Sequence, residues 1–163
     1  MNKNKLLTAI IALIIDQVVK GLIQTYEVKC VIIKNIFSIK YVTNTGAAFS
    51  IFSDLTVPLI VVTFAILLLV YNLSFSYKSD RLTDFTFGIL YGGILGNLID
   101  RCLFKYVRDF ISIGNFPVFN IADICIVVGI ILVVFISFKG ELKKKGSDTS
   151  DNKSRGRNNS KNR

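Results

Sequence analysis

Long apolar runs alternate with polar segments along this chain, and four of the runs have the length of a membrane-spanning helix. The predicted spans cover residues 6–23, 57–73, 84–100 and 119–138. No small-residue cleavage site follows the first run, and Asp16 stands where one would lie. We therefore interpret the first run as an uncleaved span rather than a signal peptide.

The segments between the spans are more polar. Residues 24–56 alternate apolar and polar positions, which predicts short β-strands outside the hydrocarbon. The alternating apolar positions are Val31, Ile33, Ile36, Phe37, Ile39 and Tyr41. Residues 101–118 are predicted to form a second loop on the same side. The pattern thus predicts an all-α membrane domain of four transmembrane helices over residues 1–140, followed by a basic disordered tail at 141–163.

Composition and charge agree with a membrane protein. The apolar share is 52% and the mean hydropathy is +0.54, both high for a soluble domain. Thirteen of the 20 lysines and arginines lie on the side of the two termini, and seven lie on the other side. By the positive-inside rule both termini face the cytoplasm, and residues 24–56 and 101–118 face outward. The net charge of +9 therefore reflects topology, and we expect no nucleic-acid partner.

Two residue counts limit the chemistry. The chain has no histidine, which excludes Ser-His and Cys-His nucleophile pairs and histidine-ligated metal sites. Its three cysteines, Cys30, Cys102 and Cys125, are too few and too scattered for a metal cage, and their odd number prevents full pairing. Catalysis would have to rest on Asp, Lys, Ser or Thr.

Glycines recur at a spacing of four in the third span, at Gly88, Gly92 and Gly96. Small residues at this spacing allow helices to approach closely in a membrane. We interpret them as a packing face.

Aspartates and asparagines lie near the predicted outer ends of the third and fourth spans. At a rise of about 1.5 Å per residue, Asp100 and Asp123 both lie about 24 Å from the cytoplasmic boundary. Asn97 precedes the first of them by three residues, and Asn120 precedes the second by three. Two helices thus present the same Asn-x-x-Asp pattern at one depth.

Some of these charges have predicted partners. Lys20 follows Asp16 by four residues, which places both on one helix face and favours an ion pair. Asp100 can pair with Arg101 or with Lys20, and such pairs are commonly structural. Asp109 has a cationic neighbour, Arg108, but adjacent side chains point apart.

The remaining carboxylates suggest catalysis. Asp123 has no cation within a turn of it, and a carboxylate without a cation tends to share a proton with another, as in aspartic proteases. Gly114 and Pro117 predict a turn that would bring Asp109 back over the fourth span. Any two of the four carboxylates remain candidates for such a dyad: Asp16, Asp100, Asp109 and Asp123.

Two other function classes compete with a protease. An ion or proton transporter needs polar groups along the whole membrane depth, whereas the cytoplasmic halves of the last three spans are almost wholly apolar. A non-catalytic assembly protein would use its glycine face and ion pairs to bind other helices, and it predicts that Asp123→Asn has no effect on activity.

Five motifs, in this order along the chain, resemble those of the lipoprotein signal peptidase (signal peptidase II) family. They are DQVVK at Asp16–Lys20, TNTGAAFS at Thr43–Ser50, GNLIDR at Gly96–Arg101, VRDF at Val107–Phe110 and FNIAD at Phe119–Asp123. The resemblance covers all but the tail.

The resemblance implies an aspartic endopeptidase with four transmembrane helices and a small extracytoplasmic β-rich cradle. Such enzymes remove the signal peptide of diacylglyceryl-modified prolipoproteins just before the lipidated cysteine. The implied catalytic pair is Asp109 and Asp123, and Asp16 and Lys20 match a pair that stabilises the fold. The residues implied to support the site or contact substrate are Asn44, Gly46, Asn97, Asp100, Arg101 and Asn120.

The resemblance also implies the partners and the location. We expect no metal or organic cofactor. We expect a monomer in the bacterial cell membrane. Its expected partners are prolipoproteins, membrane lipid and globomycin-like cyclic peptide inhibitors. Residues 44–52 form a predicted substrate clamp, in which Ala47 and Ala48 are small and Phe49 and Phe52 enter the membrane interface.

Three residues depart from the family pattern. Lys105 replaces a frequent glycine, Arg108 replaces an aliphatic residue, and Ile124 replaces a common serine. The first two are expected to add positive charge beside Asp109 and so to alter its pKa or the substrate preference.

Overall fold

The computed structural model of this chain describes residues 2–46 and 56–140, and these residues form four long helices and one small sheet. The helices are α1 (Lys3–Thr25), α2 (Thr56–Phe75), α3 (Arg81–Phe104) and α4 (Ile121–Gly140). Each is long and apolar enough to cross a membrane, which confirms the predicted fold class. The predicted tail and residues 47–52 of the predicted clamp lie outside the described residues.

Both ends of α3 are set by local capping. Asp80 precedes the helix, and its carboxylate accepts a hydrogen bond of 2.8 Å from the backbone N–H of Thr83. Lys105 follows the helix in the left-handed conformation, at φ 70°, and its N–H returns to the carbonyl of Arg101. The helix is therefore longer than the predicted span of residues 84–100, which covers only its apolar part.

The centre of the bundle is α3. Of the 24 residues of α3, 14 are buried, whereas Ser74 alone is buried among the 20 residues of α2. A Cβ added at Gly88 would lie 2.5 Å from Cβ of Thr8, and one added at Gly92 would lie 2.6 Å from Cβ of Ala12. The backbones of α1 and α3 are thus close enough to require glycine, which confirms the packing interpretation.

Three antiparallel strands form the sheet, in the order β1 (Lys29–Ile33), β2 (Phe37–Asn44) and β3 (Val107–Ile113). The first two confirm the strands predicted within residues 24–56. The third lies in residues 101–118, where the prediction of a loop was wrong. The first four residues of β3 are all buried, so both faces of the strand are covered. A strand covered on both faces lacks the alternation of apolar and polar residues by which strands are predicted.

The chain reverses direction after β3 and returns beside the strand. Gly114 adopts φ 50° at this turn. The backbone of Phe119 then exchanges hydrogen bonds of 2.8 and 3.0 Å with Ile111. This contact places the first residues of α4 next to the strand that carries Asp109.

Candidate active site

A reciprocal capping arrangement begins α4. The side-chain oxygen of Asn120 accepts a bond of 3.0 Å from the backbone N–H of Asp123. In return, the carboxylate of Asp123 accepts a bond of 3.1 Å from the backbone N–H of Asn120. This is the geometry of a capping box, and it requires a spacing of three residues. The Asn-x-x-Asp pattern on this helix therefore has a structural cause, and it fixes the Asp123 carboxylate at the helix end.

Asp109 lies on β3 with only 1% of its surface exposed, facing the start of α4. One carboxylate oxygen accepts a bond of 2.6 Å from the side-chain amide of Asn120. The other accepts a bond of 2.8 Å from the amide of Asn44 at the end of β2. The two donors come from parts of the chain that are far apart in sequence, and they hold the carboxylate between the sheet and α4.

The Asn97 side chain on α3 completes the set. Its amide nitrogen donates a bond of 2.8 Å to the carboxylate of Asp123. Its oxygen accepts from the ammonium of Lys20 at 3.0 Å and from the amide of Asn120 at 3.1 Å. Asn120 therefore contacts both Asp109 and Asn97, and through them it links the two aspartates that sequence analysis assigned to catalysis.

The orientation of all three amides is determined by what their oxygens accept. Asn44 accepts from the N–H of Gly46 at 2.9 Å, Asn97 from Lys20, and Asn120 from the N–H of Asp123. Because each oxygen is occupied, each NH₂ group faces a carboxylate. We call Asp109 and Asp123 the amide-held pair, since their side-chain donors among the described residues are neutral amides.

The environment of Asp109 favours its protonated form. Burial is the main cause, and with the nearby charge of Asp123 it raises the pKa of Asp109 to about 6. The bonds from Asn44 and Asn120 favour the ionised form and oppose the shift. Asp109 can therefore carry a proton at a pH only slightly below neutral.

A second group of charges lies beside the amide-held pair. Lys20 contacts Asp16 at 2.8 Å and Asp100 at 3.3 Å, which confirms the two ion pairs predicted for this lysine. Arg108 contacts Asp100 at 2.6 Å. All four side chains are almost completely buried. We call these four residues the ion-pair cluster.

Of the two partners predicted for Asp100, Lys20 is found and Arg101 is not, and the charge predicted beside Asp109 for Arg108 was wrong. Asp100 does not pair with Arg101, because successive residues of a helix point in different directions, and the Arg101 guanidinium instead lies 3.5 Å from the hydroxyl of Thr63 on α2. Arg108 does not place its charge beside Asp109, since its side chain leaves the opposite face of β3 toward Asp100.

Sequence analysis also missed Gln17. Its amide donates to the carboxylates of Asp16 and Asp100, each at 3.2 Å, and its oxygen accepts from Arg108 at 2.8 Å. The available signal was an uncharged polar residue directly after Asp16 in an otherwise apolar run.

A cavity of about 470 Å³ opens beside Asp109. It lies between the end of β2 and the turn that leads into α4, and its lining includes Asn44, Gly46, Asp109 and Pro117. Gly46 adopts φ 76°, a conformation that glycine takes without strain, while its N–H holds Asn44. A peptide in this cavity would pass the carboxylate of Asp109.

Residues 8–139 match the family model described as signal peptidase (SPase) II. A lipoprotein signal peptidase of Clostridium acetobutylicum is 44% identical over 120 residues, which cover 69% of this chain and 77% of that protein. The lipoprotein signal peptidase of Clostridium novyi is 38% identical over 149 residues, which cover 84% of this chain and 99% of that protein.

Solved structures share the fold. One, described as a bacterial membrane enzyme determined by the in meso method at 1.9 Å resolution, superposes with a TM-score of 0.73 at 32% identity. The match covers 83% of this chain and 92% of that structure. A second bacterial membrane enzyme, at 2.3 Å resolution, gives a TM-score of 0.71.

Proposed function

This chain belongs to the signal peptidase II family, and from that premise we propose that it is an aspartic endopeptidase that removes the signal peptide of lipid-modified prolipoproteins. The observation that carries the proposal is the amide-held pair. Two carboxylates from different elements, Asp109 and Asp123, are joined through Asn120, and Asp109 lines a cavity. Two nearby carboxylates that share one proton are the working group of aspartic proteases.

The proposed reaction uses both carboxylates on one water molecule. We propose that Asp109, whose pKa is raised, holds the shared proton and that Asp123 is the base that takes a proton from water. The resulting hydroxide forms a bond to the scissile carbonyl carbon while Asp109 gives its proton to the carbonyl oxygen. Collapse of this intermediate breaks the C–N bond. The proton held by Asp123 passes to the leaving amine, and one hydroxyl of the intermediate returns its proton to Asp109, which leaves the product carboxylic acid and restores the dyad. Atoms and charges balance without a further reactant.

The amides support this reaction by holding the dyad without neutralising it. Asn44, Asn97 and Asn120 fix the two carboxylates by hydrogen bonds but add no positive charge that would keep both ionised. Gly46 sets the orientation of Asn44 at the cavity mouth. Arg101, which is half-buried on α3 near the same end of the bundle, is proposed to contact the substrate.

The proposed orientation places the dyad toward the outer face of the cell membrane. The positive-inside bias puts both termini in the cytoplasm, and the sheet and the start of α4 lie at the opposite end of the helices. A substrate with two acyl chains and an apolar signal helix would approach laterally in the bilayer. Its cleavage point, next to the lipidated cysteine, would then reach the level of Asp123.

Paired peptides test this function. The purified enzyme, in nanodiscs, is given a signal-peptide segment that ends in diacylglyceryl-cysteine and a few further residues, and separately an identical peptide with unmodified cysteine. We expect cleavage directly before the cysteine in the lipidated peptide alone, detected by mass spectrometry. Equal cleavage of both peptides would contradict the substrate class, and cleavage of neither would contradict the reaction.

A further inference from the structure

Arg108 is buried beside the proposed dyad although it takes no part in the reaction described above. It directly precedes Asp109 on β3, and only 5% of its surface is exposed. A buried guanidinium is costly unless its donors are satisfied. The contacts that satisfy it show what it holds in place.

Asp100 binds Arg108 at two separate points. One carboxylate oxygen accepts the backbone N–H of Arg108 at 2.9 Å, and the other accepts the guanidinium at 2.6 Å. The guanidinium also donates to Gln17 at 2.8 Å and to Gln24 at 3.3 Å, both on α1, and lies 4.4 Å from the ring centre of Phe104. The residue next to Asp109 is thus attached to α1 and α3 by both its backbone and its side chain.

Arg108 also balances the charge of the ion-pair cluster. Asp16 and Asp100 face two cations, Lys20 and Arg108, at distances of 2.6 to 3.3 Å. Without the guanidinium, two buried carboxylates would compete for Lys20 alone. Lys20 would then be drawn toward them and away from its third partner.

That third partner is the side-chain oxygen of Asn97, 3.0 Å from the Lys20 ammonium. The bond keeps the NH₂ group of Asn97 directed at Asp123. Arg108 therefore influences the position of Asp109 through the peptide bond that joins them. It influences the position of Asp123 through a series of contacts that runs from Asp100 to Lys20 and then to Asn97.

We infer that Arg108 is a positioning residue, which holds Asp109 and Asp123 in their reactive arrangement through its two-point attachment to Asp100. The inference rests on the proposed function. It assigns Arg108 no contact with substrate, because its side chain lies on the face of β3 opposite Asp109. Loss of its side chain should consequently slow turnover and leave substrate binding unchanged.

Three variants test the inference with the lipidated peptide: Arg108→Val, Arg108→Lys and, as a control, Lys40→Val. Lys40 is an exposed residue of β2, so its replacement removes the same charge from the same sheet. Rates are expressed per folded enzyme, with folding followed by gel filtration and thermal unfolding. We expect Arg108→Val to lower kcat by about ten- to a hundredfold with little change in KM. Arg108→Lys keeps the charge but loses the several N–H donors of the planar guanidinium, so its kcat should be intermediate. The kcat of Lys40→Val should match that of wild type.

The outcomes separate the two proposals. A wild-type enzyme that leaves the lipidated peptide uncut contradicts the proposed function itself. If wild type cleaves, an Arg108→Val enzyme with wild-type kcat, or with a change in KM alone, overturns only the positioning role. If Arg108→Val does not fold, Arg108→Lys decides: a lowered kcat at constant KM supports the inference, and a wild-type kcat overturns it.

Discussion

Two pairs of aspartates lie side by side at one end of this helical bundle, and they differ in what holds them. Asp16 and Asp100, in the ion-pair cluster, each face a cation within 3.3 Å. Asp109 and Asp123, the amide-held pair, are bound by asparagine side chains and a backbone N–H. Asp16, Asp100 and Asp109 are all buried, so burial and residue type do not show to which pair Asp109 belongs.

The difference in partners separates their chemistry. A buried carboxylate beside a cation stays ionised, and its loss leaves that cation unpaired, so it is suited to holding helices together. Asp109 accepts its side-chain hydrogen bonds from neutral amides and burial raises its pKa, so it can exchange a proton near neutral pH. We therefore expect changes in the amide-held pair to affect turnover and loss of the buried carboxylates Asp16 and Asp100 to affect folding.

The largest expected effects are those of replacing either aspartate of the amide-held pair, and Asp123→Asn is one of these changes. The amide cannot take a proton from water, so cleavage of the lipidated peptide should fall by about a thousandfold or more. The Asn oxygen can still accept the N–H of Asn120 and cap α4, so the variant should be recovered folded. Turnover is measured with saturating peptide and protein checked by gel filtration. Substantial cleavage by the folded variant would remove Asp123 from the mechanism.

Asp16→Asn should have the next largest effect, on stability. Asp16 binds Lys20 at 2.8 Å and accepts the backbone N–H of Ala122 at 2.8 Å, so it joins α1 to the start of α4. Breaking a buried pair of this kind costs about 3–5 kcal/mol. Denaturant unfolding in detergent should show this loss, with a smaller change in kcat per folded enzyme.

The matched control for Asp16→Asn is Glu27→Gln, which removes an exposed carboxylate just after α1. It should leave the unfolding midpoint unchanged. If both variants have wild-type stability, the ion-pair cluster does not hold the fold.

Asn44→Ala should shift the pH dependence of cleavage. As pH rises through about 6, Asp109 loses the proton that it gives to the carbonyl, so the rate should fall. The Asn44 amide favours the ionised form, and its removal raises the pKa further. The decline should therefore move to higher pH in the variant, whereas Thr43→Ala, an exposed neighbour on β2, should keep the wild-type profile. A decline that moves to lower pH would contradict the proton assignment.

The smallest effect is expected at Lys105, outside both groups. Its left-handed conformation, at φ 70°, is strained for any residue with a Cβ. Lys105→Gly should raise the free energy of unfolding by about 1 kcal/mol without changing cleavage. Lys105→Ala keeps the Cβ and should show no such gain, and equal stability of the two variants would exclude this explanation.

The sequence allowed prediction of those features that depend on local pattern. The four helices follow from apolar runs, and the Asp16–Lys20 pair follows from the four-residue helical spacing. The Asn-x-x-Asp spacing indicated a polar group at the start of α4, although the capping box that causes it was not foreseen. Local rules of spacing were sufficient here because each interaction lies within one helix.

Features that depend on distant parts of the chain could not be predicted. Strand β3 was missed because both of its faces are covered, so it has no polar face to mark it. Arg108 was expected to add positive charge beside Asp109 because only its neighbours in sequence were known, while its partner Asp100 is on α3. The Asn44–Asp109 bond joins residues 65 positions apart, and nothing in either local sequence specifies it.

The central claim is that the amide-held pair performs the cleavage, and Asp109→Asn tests it most directly. Single-turnover cleavage of the diacylglyceryl-cysteine peptide is measured for wild type and variant at equal amounts of folded enzyme, with thermal unfolding recorded on the same samples. The account predicts no detectable product from a variant that unfolds no earlier than wild type. Product formed at the wild-type rate by folded Asp109→Asn would contradict it.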